Sequence, residues 1–497
     1  MRDLAPVHRD LVFVGGGHSH ALALRMMAMK PVDGLRLTLV SPSSHTPYSG
    51  MLPGLVAGHY SFEQTHIDLE RLCRWAGVRF IAAEVTALNP VSRSLTLAGR
   101  PALAYDLVSI DIGSQPELDS VPGAREYAVP VKPVAELWQR WQAMYELISA
   151  RAERGSYRVS VVGGGAGGVE IAMAMSRRLG GRAAIDLWCA SPRILEAYNP
   201  RARDRVMAAL ARQNISVHTH SRVSAVKADC LELDGGEQAR YDDLFWCTGA
   251  APAPWIAGSG LPVDERGFLA VRETLQSTAD ERVFGAGDIA TQVNNPRPKS
   301  GVYAVRQAPV LAHNLRAAAL GRPLKEHTPQ QRFLSLISLG EKRAVADRGP
   351  FSADGHWVWR WKDHIDTTFM QRFSRLPTSM PVGHWGRLPE LANQPDQDAC
   401  GGCGAKVGAD VLREALADLA DAYPEHCVGT GDDAVLVPVQ GAVVQSLDVL
   451  REIVADPWLM GRIAANHALS DLYACGARPV SALAAITLPF AAGRILL

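Results

Sequence analysis

Two glycine-rich turns carry the clearest chemistry in this chain. One is Val14-Gly15-Gly16-Gly17-His18-Ser19-His20; the other, about 150 residues later, is Val162-Gly163-Gly164-Gly165-Ala166-Gly167-Gly168. In such a turn the first glycine makes the bend and the second lets the backbone approach a pyrophosphate, whose charge then sits on a helix N-terminus. One match is a weak signal, because glycine-rich strand-to-helix turns also occur without any nucleotide. Two matches at this separation are what transfer of electrons from a nicotinamide to a flavin requires.

The elements that must position these turns follow from the pattern around them. Each turn follows a short apolar β-type run, Leu11 to Val14 and Val159 to Val162, and opens a helix-like stretch. Residues 8–40 read strand, turn, helix, strand, and Ser41 to Gly58, rich in Ser, Pro and Gly, reads as a loop. Short strands are predicted across 78–112. Val131 to Arg154 is helix-like, with Trp138, Trp141 and Tyr145 spaced as a core-facing stripe. From Tyr157 to about residue 250 strand and helix alternate again. Val283-Phe284-Gly285-Ala286-Gly287-Asp288 comes next, then a helix over Ala304 to Leu320 and strands over 330–350. The stretch 389–398 reads as a linker, and there is no sustained short-period repeat.

Composition narrows the function classes. A chain of 497 residues holds roughly three domains. Lys+Arg and Asp+Glu both number 51, so there is no positive excess to support nucleic-acid binding. Eight cysteines, of which Cys400 and Cys403 alone lie close together, do not form a secreted disulfide framework; the single ones read as small buried hydrophobes. The N-terminus lacks a signal-peptide pattern, and no apolar run reaches the roughly 18 residues a membrane span needs. A cytoplasmic protein is expected, with peripheral attachment to the inner membrane face as an alternative.

The order of pieces resembles the flavoproteins with two dinucleotide-binding domains, and among them the type II NADH dehydrogenases and related quinone reductases, over about residues 8–380. The resemblance implies FAD on Gly15 and Gly17, with Gly285, Gly287 and Asp288 returning to it as a Gly-x-Gly-Asp segment. Asp288 would accept a ribityl hydroxyl; a helix cap is the alternative. It further implies NADH or NADPH on Gly163, Gly165, Gly168 and Glu170, with Gly249 in a strand-end Thr248-Gly249-Ala250 motif. Lys299 to Gln307 would border the flavin ring, as would a loop over Tyr48 to Gly54. Two departures stand out. His20 replaces the usual third small residue, which is expected to loosen helix-to-strand packing. No acidic residue follows the second strand of either unit to bind a ribose diol; Ala190 is followed by Ser191-Pro192-Arg193, and Arg193 reads either as a 2′-phosphate contact or as an ordinary surface charge. With no Cys-x-x-Cys pair in the flavin region, a small-molecule electron acceptor is expected to meet the flavin directly. Trp357, Trp359 and Trp361 alternate as on a strand face, then Trp361, Ile365, Phe369 and Phe373 recur every four residues. This stretch reads as a helix covering a core or as a membrane-surface element.

After the linker a second resemblance appears. Cys400-Gly401-Gly402-Cys403-Gly404-Ala405-Lys406, Gly431-Asp432-Asp433-Ala434, Ser446-Leu447-Asp448 and Ala468-Leu469-Ser470-Asp471 match, in order, the N-terminal part of selenide, water dikinase. The family implies a reactive thiol at Cys403 with Lys406 beside it, and Mg²⁺ bridging ATP phosphates on Asp432, Asp433, Asp448 and Asp471. A zinc half-site and acidic loop caps are the plain alternatives. Cys400 lies outside the family pattern, and Ala405 stands where some members carry a second Cys. The dikinase-like part is expected to be incomplete, with no selenophosphate synthesis from this polypeptide alone.

The expected fold is therefore α/β. An FAD domain (8–155 and 251–325) holds an inserted NAD(P) domain (156–250), followed by a small α+β cap (326–388), a linker (389–398) and an incomplete synthetase-like domain (399–497). The expected function is electron transfer from NAD(P)H through FAD to a bound acceptor, an oxidised selenium species that supplies selenide. The alternatives are a membrane-surface quinone reductase and a non-catalytic FAD-binding partner of an intact selenophosphate synthetase. A homodimer is expected.

Overall fold

The apolar runs become the centres of two parallel sheets. A computed structural model describes residues 6–150, 157–378, 384–392, 409–422, 441 and 443–486. In chain order its main elements begin β1 (Arg9–Val14), α1 (His18–Met29), β2 (Leu35–Ser41), β3 (Arg79–Ala82), β4 (Leu107–Ile110) and α2 (Val134–Ala150). A second unit follows with β5 (Tyr157–Val162), α3 (Ala166–Leu179), β6 (Ala183–Trp188), β7 (Ile215–His218) and β8 (Asp243–Trp246). Then come β9 (Val283–Gly285), α4 (Gly301–Ala319), β10 (Ser335–Ser338), β11 (Ala344–Arg348), β12 (Phe351–Gly355) and α5 (His356–Ser374). The C-terminal segment contributes α6 (Ala409–Ala422) and α7 (Pro457–Ala474).

The first sheet has the order β9-β4-β1-β2-β3, all parallel, with Leu11 between Leu107 and Leu37. Side chains of a strand alternate between faces, and both faces are covered here. Leu11 and Phe13 pack with Leu22, Leu24, Leu311 and Leu315 of α1 and α4, while Val12 and Val14 pack with Val40, Val108 and Phe268 on the other side. Each such fully buried side chain contributes about 1.5–3 kcal/mol. Sequence order reverses between β1 and β4, so the crevice at their carboxyl ends is the place where such sheets bind ligands. The second sheet, Val129–Pro130 with β8-β5-β6-β7, is also parallel and repeats this logic. Trp141 of α2 is buried in its core, with Trp138 and Tyr145 packed against it. The antiparallel β10-β11-β12 sheet leads directly into α5.

Several expectations are corrected. Ser41 to Gly58 is not one loop: His45–Pro47 is a strand paired with His66–Asp68, Ser49–Met51 is a 3₁₀ turn, and Leu52–Val56 is helical. Pro53 lies in the first helical turn, where its missing N–H costs nothing. Trp357, Trp359 and Trp361 stand on α5, not on a strand. The 389–398 linker begins as the helix Pro389–Ala392, tied to β1 by an Arg9–Glu390 ion pair of 2.5 Å. Cys475 is exposed, whereas Cys73, Cys189 and Cys230 are buried. In α7, Asp456 caps the N-terminus and pairs with Arg100, whose guanidinium lies 4.5 Å from the Trp458 ring. Among the described residues no helix is long and apolar enough to cross a membrane.

Candidate active site

Three strand ends meet in the first sheet's crevice. After β1, Gly15 bends the chain at φ +89°, and a Cβ there would meet the Asp111 carbonyl oxygen at 2.6 Å. Gly17 caps α1 with no side-chain partner of its own, and the helix's first N–H groups meet the Asp111 carboxyl instead. After β9, Gly287 takes φ +68°, and its N–H donates to Gln307 Oε1 at 2.8 Å. Asp288 is not a helix cap. Its Oδ2 accepts from Lys132 Nζ at 3.1 Å and from the Ser114 hydroxyl at 3.3 Å. Lys299 lines the cleft beside Asp288, but its ammonium donates to Ala290 O and Thr291 Oγ1, both at 2.8 Å. Burial pushes that ammonium down to about 8.

His20 does not loosen the turn. It is fully buried, with Nδ1 2.7 Å from Gly15 O and Nε2 2.8 Å from the Ser109 hydroxyl, so it ties β1, α1 and β4 together. Sequence reasoning missed Asp111, the residue after β4. Its carbonyl accepts the Gly17 N–H at 3.0 Å and its carboxyl accepts the His20 N–H at 3.1 Å. His18, also missed, has Nε2 3.1 Å from Pro47 O; burial lowers its pKa. Its ring stands 5.4 Å from Tyr48, which stacks on Phe369 of α5 at 4.6 Å.

At the carboxyl ends of the second sheet lies a cavity of about 430 Å³. Gly163 to Gly165, Cys189 to Ser191, Thr248 and Gly249 line it, with Arg193 and Glu196 at the rim. Gly163 has φ +136°, Gly249 has φ +69°, and a Cβ at Gly168 would fall 2.0 Å from the Gly163 carbonyl oxygen, so α3 can start only over a glycine. Residues Glu117, Ser120 and Val121 also line this cavity, and Ser114, three residues before Glu117, reaches Asp288 in the first crevice. Three residues of chain span at most about 11 Å, so the two sites adjoin. The donor sets fit an FAD in the first crevice and a nicotinamide dinucleotide in the second.

Glu170 does not face that cavity. From α3 it turns to the cap, where its carboxylate accepts the Ser338 N–H at 2.7 Å. Burial pushes its carboxyl up to about 7, against the pull of nearby Lys362. Lys362 of α5 donates to Asp366 Oδ2 at 2.6 Å and to Gly50 O at 2.5 Å. A buried acid, a buried ion pair and the Tyr48–Gly50 turn thus share one junction, which sequence spacing signals only through the helical i,i+4 placement of Lys362 and Asp366.

In the C-terminal segment the Ser446 hydroxyl lies 3.1 Å from both Asp448 Oδ2 and Asp471 Oδ2, and His467 lies 3.5 Å from Asp448. Among the described residues no group of three or more metal-capable side chains is assembled. Cys400, Cys403, Lys406, Asp432 and Asp433 lie outside the described residues.

Residues 9–308 match the family described as pyridine nucleotide-disulphide oxidoreductase, and residues 431–495 match the AIR synthase related protein N-terminal domain. The chain is 28% identical over 340 residues to a demethylphylloquinone reductase of Synechocystis sp., covering 66% of this chain and 83% of the relative. It is 38% identical over 118 residues to the selenide, water dikinase of Paraburkholderia xenovorans, covering 22% of this chain and 32% of that protein. The chain therefore spans about a third of the dikinase's length. In structure it is similar to the sulfide:quinone oxidoreductase of Aquifex aeolicus, with a TM-score of 0.62 at 18% identity over 74% of this chain and 93% of the other.

Proposed function

The chain belongs to the pyridine nucleotide-disulphide oxidoreductase family and carries an AIR synthase-related segment, and on that premise we propose that it is an FAD-dependent NAD(P)H oxidoreductase that passes electrons to a planar, apolar acceptor of the quinone class. One observation supports this reading: the 114–121 segment joins the two crevices, with Ser114 bonded to Asp288 in the first and Glu117, Ser120 and Val121 lining the second. Bound FAD supplies the two-electron relay between donor and acceptor. The turns at Gly15, Gly17 and Gly287 would face the diphosphate of FAD, and Asp288, held by Lys132 and Ser114, would accept a hydrogen bond from a ribityl hydroxyl. Gly163 and Gly165 would seat the nicotinamide dinucleotide, and Gly168 lets α3 start close against their turn.

The acceptor assignment rests on α5. Trp357 is 58% exposed, Trp361 42% and Ile365 40%, whereas Phe369 on the same row is buried against Tyr48. This apolar row runs from the surface to the crevice holding His18. Glu170, Lys362 and Asp366 sit beside it, where a protonated carboxyl can release a proton as an acceptor is reduced. The AIR synthase-related segment favours a second reading, in which an oxidised selenium species takes the electrons and yields selenide.

Anaerobic, pre-reduced protein separates the two. A soluble quinone is expected to reoxidise it within a turnover. Reoxidation by selenium compounds alone would sink the quinone assignment and uphold the second reading.

Arg193, with Ser191 at the cavity edge and no acidic residue at Ala190, supports recognition of a 2′-phosphate and hence NADPH. Arg193→Ala is expected to raise KM for NADPH about tenfold, the loss of one exposed charge-assisted contact, and to leave KM for NADH unchanged. Equal effects on the two donors would remove Arg193 from coenzyme choice.

A further inference from the structure

Two glycines of the first crevice are shaped around a carboxyl of the chain itself. A Cβ on Gly17 would fall 2.3 Å from Asp111 Oδ1, and a Cβ on Gly287 would also fall 2.3 Å from it. The carboxyl is buried, accepts the His20 N–H at 3.1 Å, and has the Ser19 N–H beside it. Asp111 thus stands on the N-terminus of α1, between the two glycine turns assigned to the FAD diphosphate. We propose that Asp111 is a positioning residue that must be protonated for the diphosphate to settle on α1, so that retention of FAD is linked to pH. This rests on the flavoprotein reading above.

The argument is one of charge. The α1 N-terminus favours a single anion, and a carboxylate beside an incoming diphosphate places like charges close together where little water screens them. A neutral carboxyl removes that repulsion and can donate a hydrogen bond. Burial already pushes the Asp111 carboxyl up to about 7, helped by the charge on Asp288 and opposed by the His20 and Ser19 N–H groups. The other titratable groups on this turn of α1 are His18 and His20. Burial lowers both, His20 to about 3, so neither supplies a compensating charge near neutrality. Lys132 pairs with Asp288, and from α4 the contact is the uncharged Gln307. The sign follows. With its folded value raised above 3.8, Asp111 favours the folded apoprotein most below pH 4, and that contribution is lost as pH rises through about 7. FAD, which favours the protonated form, loses affinity as pH rises above about 7.

The test is the FAD dissociation constant of the full chain, read by flavin fluorescence at fixed ionic strength. For wild type it is expected to rise about tenfold from pH 6 to pH 8, one proton with a value near 7. Asp111→Asn, close in shape and uncharged, is expected to lose that rise and to bind more tightly than wild type at pH 8. Lys299 also titrates in this range, but it is common to both proteins, so the difference between their slopes reports Asp111. Asp111→Ser gives the same readout if the Asn variant does not fold. A flat wild-type profile, or an equal slope in the variants, would overturn the role of Asp111 alone. A wild-type chain that binds no FAD at any pH would overturn the flavoprotein reading as well.

Discussion

Asp288→Ala is expected to leave purification without yellow colour. Asp288 follows β9, caps no helix, and among the described residues its carboxylate is hydrogen-bonded by Lys132 and the Ser114 hydroxyl. Its loss removes an acceptor of charge-assisted hydrogen bonds to the FAD ribityl chain and frees Lys132 from its place. Such bonds contribute about 1.5–3 kcal/mol each, so two of them amount to a factor of about 10²–10⁴ in FAD affinity. Absorbance at the flavin band relative to protein measures this directly, and an unchanged thermal melt of the apoprotein separates it from misfolding. A variant that keeps full FAD occupancy would show that Asp288 is merely structural.

Lys362→Met is expected to be the most destabilising single change in the cap. Lys362 and Asp366 have side chains only 10% and 7% exposed, and the ammonium also holds the Gly50 carbonyl. Removing Lys362 leaves the buried Asp366 carboxylate with the Tyr48 hydroxyl but no countercharge, at a cost of about 3–5 kcal/mol. For a chain of this size the melting temperature falls by about 3–5 °C. Lys362→Met with Asp366→Leu removes both charges and is expected to recover most of the loss. If the single variant melts within about 1 °C of wild type, the Tyr48 hydroxyl is enough to hold the Asp366 carboxylate and the lysine is not needed for stability.

The glycine turns and the Gly-x-Gly-Asp segment were legible in the sequence because the chemistry is local: a strand, a bend and a helix start within a few residues. The strand Leu11 to Val14 was legible for the same reason, as a continuous apolar run, whereas its neighbours in the sheet were not. What was not legible is whatever distant segments build together. Glu170 follows the second turn by two residues, yet its direction is set by Ser338 and Lys362 of the cap. Asp111 gives no motif; its role exists only because Gly17 and Gly287 come to it from two other strand ends. His20 looked like a misfit until the Gly15 carbonyl and Ser109 hydroxyl were seen to fill both ring nitrogens. Proline misled at Pro53, where a first helical turn accepts it, and three alternating tryptophans misled because α5 carries Trp357 and Trp361 on one face and Trp359 on another.

The central claim is that one chain binds FAD and is reduced by a nicotinamide dinucleotide. The visible spectrum of the purified protein, before and after anaerobic addition of NADH and then NADPH, tests it most directly. The account predicts a yellow protein that bleaches, faster with NADPH. A yellow protein that neither donor bleaches would contradict it, leaving a flavin-binding partner without the nicotinamide half of the reaction.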